Sequence, residues 1–424
     1  MAFTLVLVGD LSGDSQAIAQ QVSPQLRQNF LSDPLTTKPR DPLLPMISVE
    51  RPLSPLELSA LSASLDQLNQ TAQEQLAAGQ TDAAFELLLR ELRLRRIFGP
   101  VAEFNALSQT AALAWNQQRP VEVQLLTLRT REIWETVQAA LGQIEMPRSL
   151  GEESPEALAD NPERVLVSGD ASSDRAVLTA ITQTFTTLRD IDSAVSVYET
   201  LIELTVAQGE DPTVQQQALA ELHLAWFQFA EAADVYLALL NQARADGNQT
   251  EEVAYLERLA YSYQQADSLA YAVRAQTDLL ALYQTQGELE KLPRLLVAIA
   301  QNYRALNLPD TAIEYYRSAY SAAQRFEQFS FSARVLQDLG ALYETVALYD
   351  EALGAYNLLI PVEQQAYNDY GVMNAYDKIG QLQRRRGNPF EALKAFEQGL
   401  AIANRLDLRQ TYFVEQIESV TPSL

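Results

Sequence analysis

The sequence predicts an all-α protein, a right-handed α-solenoid of antiparallel helical hairpins, and three observations carry that prediction. Helical periodicity runs from residue 56 almost to the end of the chain. At 424 residues the chain is longer than one compact core usually supports, whereas a repeat array grows in one dimension. A fixed period is typical of one supersecondary unit stacked many times. Alanines recur at intervals of 38, 40, 40, 40 and 40 residues, at Ala194, Ala232, Ala272, Ala312, Ala352 and Ala392.

Residues 1–55 are predicted to be a flexible, proline-rich arm. Seven prolines lie between residues 20 and 55, so we expect no helix there. The first helix should begin at Ser54, with Pro55 in its first turn and Glu57 completing a capping box. Residues 1–20 have some features of a secretory signal remnant, but they lack a basic start and contain two aspartates. A soluble chain is expected, and both a cytoplasmic and an exported location stay open.

Further along the chain, the pattern divides into four parts. Residues 56–144 hold two degenerate repeats, and the acidic, proline- and glycine-containing stretch 145–174 is expected to be a linker loop that divides the array. Residues 175–412 hold six repeats, and residues 413–424 form a capping segment. In the last repeat Gly380 and Ala392 should allow two helices to approach closely, while Phe396 fills the wedge between successive hairpins.

The residues at fixed repeat positions resemble those of the tetratricopeptide repeat family. The repeat starting at residue 293 supplies Ile299, Ala300, Tyr303, Ala312, Tyr316 and Ala319, and the one starting at 333 supplies Leu339, Gly340, Tyr343, Ala352 and Tyr356. This resemblance covers most of residues 56–412. The period of 40 exceeds the family's usual period of about 34. The extra residues should therefore lengthen either the helices or the connection between hairpins.

Composition argues against several functions. A net charge of −24 disfavours binding to nucleic acid or to an anionic membrane, and no stretch approaches the length of a membrane span. The chain has no cysteine and a single histidine, His223, which falls on a predicted core position. We therefore predict no catalytic residues, no metal site and no cofactor. The run of Arg90, Arg93, Arg95 and Arg96 is interpreted as a salt-bridged helix face.

The family resemblance implies a concave face lined by the first helix of each hairpin, and we place a partner-binding site there. Two interpretations of its arginines stay open: they grip an acidic partner peptide through bidentate bonds, or they pair with neighbouring carboxylates. All 18 tyrosines lie between Tyr198 and Tyr412, which also favours this part of the chain for binding. The predicted site residues are Glu257, Tyr261, Gln264, Arg294, Gln301, Arg304, Arg334, Gln337, Arg384 and Arg385.

The function predicted from the sequence is non-catalytic protein–protein binding, as a scaffold, adaptor or assembly factor. The partner would present a peptide or helix, acidic in character, to the concave face. The alternative is a structural spacer that self-associates through its degenerate N-terminal repeats, which light scattering at several concentrations would distinguish. An enzyme with a carboxylate-only site is the least favoured reading.

Overall fold

The computed structural model describes residues 22–46, 51–144 and 171–421, and these residues form helices and no strand. The predicted all-α solenoid of helical hairpins is confirmed. The signal-like segment at residues 1–20 lies outside the described residues. The chain divides into two compact units, Met1–Gln216 and Gln217–Leu424.

In its described residues, the first unit contains one short helix followed by three helical hairpins. Within it α2 packs on α3, α4 on α5 and α6 on α7, each pair joined by a short turn. The helices are α1 (Pro24–Leu31), α2 (Pro55–Ala77), α3 (Thr81–Arg95), α4 (Pro100–Asn116), α5 (Pro120–Ile144), α6 (Ala171–Leu188) and α7 (Ile191–Ala207).

The predicted flexible arm is wrong for residues 22–46, which contain α1 and pack on the first unit. Pro24 occupies the first turn of α1, where a missing N–H costs nothing, and Ser23 caps the helix. The side chain of Phe30 is 4% exposed. Asp41 accepts two hydrogen bonds from Arg90 on α3, with N–O distances of 2.8 and 2.7 Å. Long-range contacts therefore order a segment whose local sequence gave little sign of structure.

The start of α2 and the arginine-rich face of α3 follow the sequence predictions. Ser54 caps α2, and the Glu57 carboxylate accepts a hydrogen bond of 2.7 Å from the Ser54 backbone N–H. On and after α3, Arg90 and Arg93 pair with Asp41, Arg95 pairs with two acids, and Arg96 pairs with Glu103. The salt-bridged helix face is confirmed.

The predicted acidic loop 145–174 differs from the structure at its C-terminal end. Residues 145–170 lie outside the described residues, but α6 begins at Ala171, inside the predicted loop. Both α4 and α5 contact α6, so helices on either side of the segment belong to one stack. The boundary between compact units lies further on, between Gln216 and Gln217.

The second unit repeats one hairpin and ends with a single helix. Its helices are α8 (Thr213–Ala225), in which the unit begins, α9 (Phe229–Asp246), α10 (Gln249–Gln265), α11 (Leu269–Gln286), α12 (Leu292–Ala305), α13 (Pro309–Arg325), α14 (Phe329–Thr345), α15 (Tyr349–Gln365), α16 (Asp369–Arg385), α17 (Pro389–Leu406) and α18 (Gln410–Val420). From α9 onward, each helix contacts the next along the chain.

The period of 40 arises from long helices, which settles the choice left open by the sequence. Helices α10 and α11 are 17 and 18 residues long, and only three residues separate them. Left-handed backbone recurs with the same period in the turns inside the hairpins, at Phe227, Asp267, Asn307, Ala347 and Gly387. The left-handed conformation thus recurs although the residue type varies, since only one of these five residues is glycine, the residue that adopts this conformation most easily.

The six periodic alanines are all fully buried, at 0% exposure. In two of the hairpins a glycine of the first helix packs directly against an aromatic ring of the second helix. A Cβ added to Gly380 would lie 2.5 Å from Cε1 of Phe396, and one added to Gly340 would lie 2.5 Å from Cε1 of Tyr356. Phe396 therefore packs against the first helix of its own hairpin as well as filling space between hairpins. Close helix approach at Gly380, as predicted, is confirmed.

Helix α18 covers the end of the second unit with an apolar stripe. Phe413 and Val420 are buried, and Ile417 packs against the same cluster. Arg409 donates a 2.8 Å hydrogen bond to Asp377 on α16, and the Tyr412 hydroxyl donates another of 2.8 Å to the same carboxylate. The helix starts at Gln410, three residues before the predicted capping segment.

Candidate binding face of the second unit

The first helices of the hairpins lie side by side and are linked by charged side chains. Arg258 on α10 pairs with Glu221 on α8 at 3.0 Å, and Arg385 on α16 pairs with Glu344 on α14 at 2.7 Å. We call the exposed side of α10, α12, α14 and α16 the first-helix face. The ten residues of the predicted site are distributed over these four helices, three on α10, three on α12, two on α14 and two on α16.

The five predicted arginines fall into two groups. Arg385 is ion-paired with Glu344, and Arg384 donates hydrogen bonds to Gln416 at 2.9 Å and Ser419 at 3.1 Å on α18. Arg294, Arg304 and Arg334 are exposed, and none of them forms an ion pair with another residue in the described ranges. Pairing with neighbouring carboxylates, the second interpretation above, therefore accounts for one of the five.

Two of the unpaired arginines act electrostatically on one partly buried carboxyl group. Burial raises the pKa of Asp338 on α14, and the positive charges of Arg304 and Arg334 act on that pKa in the opposite direction. The same two guanidinium groups act on the pKa of the buried Tyr316, which is raised mainly by burial. Arg304 and Arg334 therefore contribute to one positive region between α12 and α14, which Asp338 only partly offsets.

The other predicted residues differ in their exposure and in their hydrogen bonds. Tyr261 is 47% exposed and meets the ring of Phe229 edge-on at 6.2 Å, so it offers aromatic contact area. Glu257 accepts a hydrogen bond from Tyr283, and Gln337 donates one of 2.9 Å to Glu363. These two side chains link a first helix to the second helix of its own hairpin. Gln264 and Gln301 are half-buried.

Tyrosines outside the predicted site include both core residues and exposed side chains. Tyr255 is 5% exposed and belongs to the core, so it is not an interface candidate. Tyr271, Tyr367 and Tyr370 are 60%, 97% and 49% exposed. His223 is buried and its Nδ1 lies 2.8 Å from Oε1 of Gln228, which confirms its assignment to the core.

A cleft of about 550 Å³, which the sequence did not predict, lies at the start of α12. We call it the α12 cleft; it is lined by Leu279 and Tyr283 of α11 and by Lys291, Arg294 and Leu295. Glu290 and Gln328 complete its walls. The signal that could have revealed it is Pro293, which falls four residues after the point where the period of 40 would start a helix.

Two searches of the described ranges bear on the function classes that composition disfavours. Within residues 22–46, 51–144 and 171–421, no group of three or more His, Cys, Asp or Glu side chains is placed to hold a metal ion. Over the same ranges, no helix combines the length and the apolar character needed to cross a bilayer.

No family model matches the chain, and no curated protein matches it. Among solved structures it is similar to tetratricopeptide-like repeat proteins, in agreement with the resemblance in the repeat positions. MamA aligns at 19% identity over 44% of this chain and 96% of its own, with a TM-score of 0.33. A putative kinesin light chain with TPR-like repeats from Podosopora anserina aligns at 16% identity over 46% of this chain and 98% of its own, with a TM-score of 0.36.

Aspartyl phosphate phosphatase F from Bacillus subtilis aligns at 13% identity, with a TM-score of 0.37, over 74% of this chain and 78% of its own. Scores and identities this low carry no argument about function. The function is argued below from the residues of this chain.

Proposed function

We propose that the chain is a non-catalytic protein-binding scaffold whose second unit holds an acidic segment of a partner protein on the first-helix face. The observation that carries the proposal is the set of exposed arginines without an ion pair in the described residues: Arg294, Arg304 and Arg334. In a chain of net charge −24, exposed arginines that form no ion pair are complementary to an acidic ligand, and Asp338 supplies only one negative charge beside Arg304 and Arg334. Guanidinium groups also bind carboxylates through two parallel hydrogen bonds.

Contact area for such a partner comes from the same face. The exposed ring of Tyr261 lies against Phe229, and the neighbouring ring of Phe227 is 5.9 Å from Phe229. Tyrosine and phenylalanine contribute large, rigid surfaces at interfaces. A partner segment running across the first helices would therefore meet the Tyr261 ring on α10, which is supported by Phe229 of α9, and a positive region on α12 and α14.

The test is a selection of random 12-residue peptides displayed on phage against the full chain. Selected peptides are synthesised with amidated C-termini, and their affinities are measured by fluorescence anisotropy at two salt concentrations. We expect enrichment of Asp and Glu, and a loss of about tenfold or more for Arg304→Glu/Arg334→Glu, since each reversed charge costs roughly 1 kcal/mol at a solvated site. Affinity should also fall with added salt.

The matched control is Arg274→Glu, because Arg274 is an exposed arginine on the second helix α11 of the same unit. This reversal changes the net charge in the same direction but leaves the first-helix face intact. It should change the affinity by less than about twofold. The proposal is refuted if the selected peptides lack acidic residues. It is also refuted if Arg274→Glu lowers the affinity as much as each single charge reversal on the first-helix face.

A further inference from the structure

The α12 cleft exists because the first turn of one helix is displaced. Helices α10, α14 and α16 begin at Gln249, Phe329 and Asp369, so the period of 40 places the start of α12 at residue 289. Instead a 3₁₀ turn occupies Leu289–Lys291, and α12 begins at Leu292 with Pro293 in its first turn. Proline lacks an N–H and is tolerated only in a first turn, so Pro293 forces the later start.

The cleft has an apolar floor. Leu279 and Tyr283 are each 4% exposed, and half-buried Leu295 stands beside them. The ammonium of Lys291 lies 4.8 Å from the centre of the Tyr283 ring and pairs with Glu288 at 2.5 Å. An apolar floor beside the exposed backbone of a 3₁₀ turn suits the side chain of a hydrophobic residue.

One cation at the rim has no carboxylate partner among the described residues. Arg294 is exposed and lines the cleft, whereas the charge of Lys291 is already matched by Glu288. Glu290 adds one negative charge to the wall, which disfavours a ligand that places several acids inside the cleft. A ligand with one carboxylate at the rim and an apolar group inside fits this arrangement.

We propose that the α12 cleft is the specificity pocket of the first-helix face: it takes a leucine-like or phenylalanine-like side chain from an internal stretch of the partner, while an adjacent Asp or Glu pairs with Arg294. This inference rests on the proposed function and deepens it, because it states which acidic segments are selected. The cleft is open to solvent, and its volume of about 550 Å³ leaves room for one such side chain.

The experiment measures an affinity ratio on the full chain. The probes are the best peptide from the selection described above and a version in which its apolar residue is changed to alanine, both with amidated C-termini. In the unmodified protein the alanine version should bind about tenfold more weakly. The variant Gln328→Trp places an indole in the cleft; it removes no capping bond to α14, but it does remove a 3.4 Å hydrogen bond that Gln328 Nε2 donates to the Glu290 backbone carbonyl. In this variant the ratio should fall to about one.

The matched control is Arg334→Gln, because Arg334 occupies the position 40 residues after Arg294 and does not line the cleft. This change should weaken both peptides equally and leave their ratio near tenfold. A second cleft variant, Arg294→Gln, alters only an exposed side chain, so it does not depend on how well an indole is accommodated. It should abolish the loss seen when the peptide's neighbouring acid is changed to its amide.

The outcomes separate the two proposals. If the ratio persists in Gln328→Trp and the acid effect persists in Arg294→Gln, while Arg304→Glu/Arg334→Glu still weakens binding, the cleft is refuted and the proposed function stands. If selected peptides are acidic but have no common apolar residue, the cleft is likewise refuted. If the selected peptides are not acidic, both proposals fail. Preference for a free terminal carboxylate, seen when the same peptides are made without the amide, would refute an internal segment as the occupant.

Discussion

Replacing Gly380 by alanine tests the packing rule on which the second unit is built. A Cβ at this position would lie 2.5, 2.7 and 2.8 Å from three ring carbons of Phe396, a side chain with 0% exposure. Alanine favours a helix over glycine by about 1 kcal/mol. Forcing an atom into a packed core usually costs about 1–3 kcal/mol. We therefore expect Gly380→Ala to lower the free energy of unfolding by roughly 0–2 kcal/mol, although the same change stabilises an open helix position.

The matched control is Gly354→Ala on α15, where an added Cβ meets nothing within 4 Å. It should gain about 1 kcal/mol from helix propensity alone. The difference between the two variants then isolates the clash with Phe396. Changing Phe396 to leucine in the Gly380→Ala background should recover part of the loss, since it removes the ring that the new Cβ meets.

The assay is native-state hydrogen exchange followed by mass spectrometry. Repeat arrays need not unfold in one step, so a local measurement on α16 and α17 is more direct than a global denaturation curve. Gly380→Ala should speed the exchange of these two helices, and Gly354→Ala should slow the exchange of α15. Equal stabilisation by both substitutions would refute the argument that Gly380 is needed for close helix approach.

Three further predictions follow from polar groups in the two units. Asp338→Asn should raise the affinity for a selected acidic peptide about fivefold, as measured by fluorescence anisotropy, because one charge near a solvated site contributes roughly 1 kcal/mol. An unchanged affinity would contradict the positive region on α12 and α14. Burial opposes ionisation of Asp41, but the hydrogen bonds from Arg90 and the Leu43 backbone N–H, together with the charges of Arg90 and Arg93, hold the pKa of Asp41 below its ordinary value. The pairing therefore stabilises the packed arm, residues 22–46, fully above the unfolded-state pKa of about 3.9, and this stabilisation is lost as the pH falls through the lower folded pKa, so pepsin should cleave the arm first in strong acid. In Arg90→Gln, chymotrypsin should cleave the arm at neutral pH. Equal resistance of this variant and the unmodified protein would contradict the packing of the arm through Asp41. Asn302→Leu leaves the buried amide of Gln276 without its 2.9 Å hydrogen bond, so it should lower the free energy of unfolding by about 1–3 kcal/mol and with it the urea midpoint. Changing both residues to leucine should restore most of that stability, and no recovery would contradict the pairing.

The features that the sequence predicted well are those set by local or strictly periodic signals. The capping box at Ser54 and Glu57 lies within four residues, and the buried alanines repeat with the hairpin. Close packing at Gly380 could be predicted because a small residue and an aromatic ring recur at fixed places in most copies, although Gln276 replaces the ring in one of them. The role of His223 followed from the same periodicity, since tyrosines occupy its position in later repeats.

The features that were missed depend on contacts distant in sequence or on backbone geometry without a residue signature. The arm is ordered by Phe30 and by Asp41, whose partner Arg90 is 49 residues away. Left-handed turn positions carry residues as different as Phe227 and Ala347, so composition gave no signal there. The α12 cleft arises from one proline at an unexpected place in the period, a signal that was present in the sequence.

The measurement that tests the central claim most directly is photo-crosslinking of a selected acidic peptide to the full chain. A benzophenone group next to the peptide's acidic residue labels whichever helices the segment contacts, and mass spectrometry locates the labelled residues. The proposed function predicts labelling within residues 289–305 and 329–345, on α12 and α14, and its loss in Arg304→Glu/Arg334→Glu. Labelling mainly on the second helices α11 and α13, or on the first unit, would contradict it.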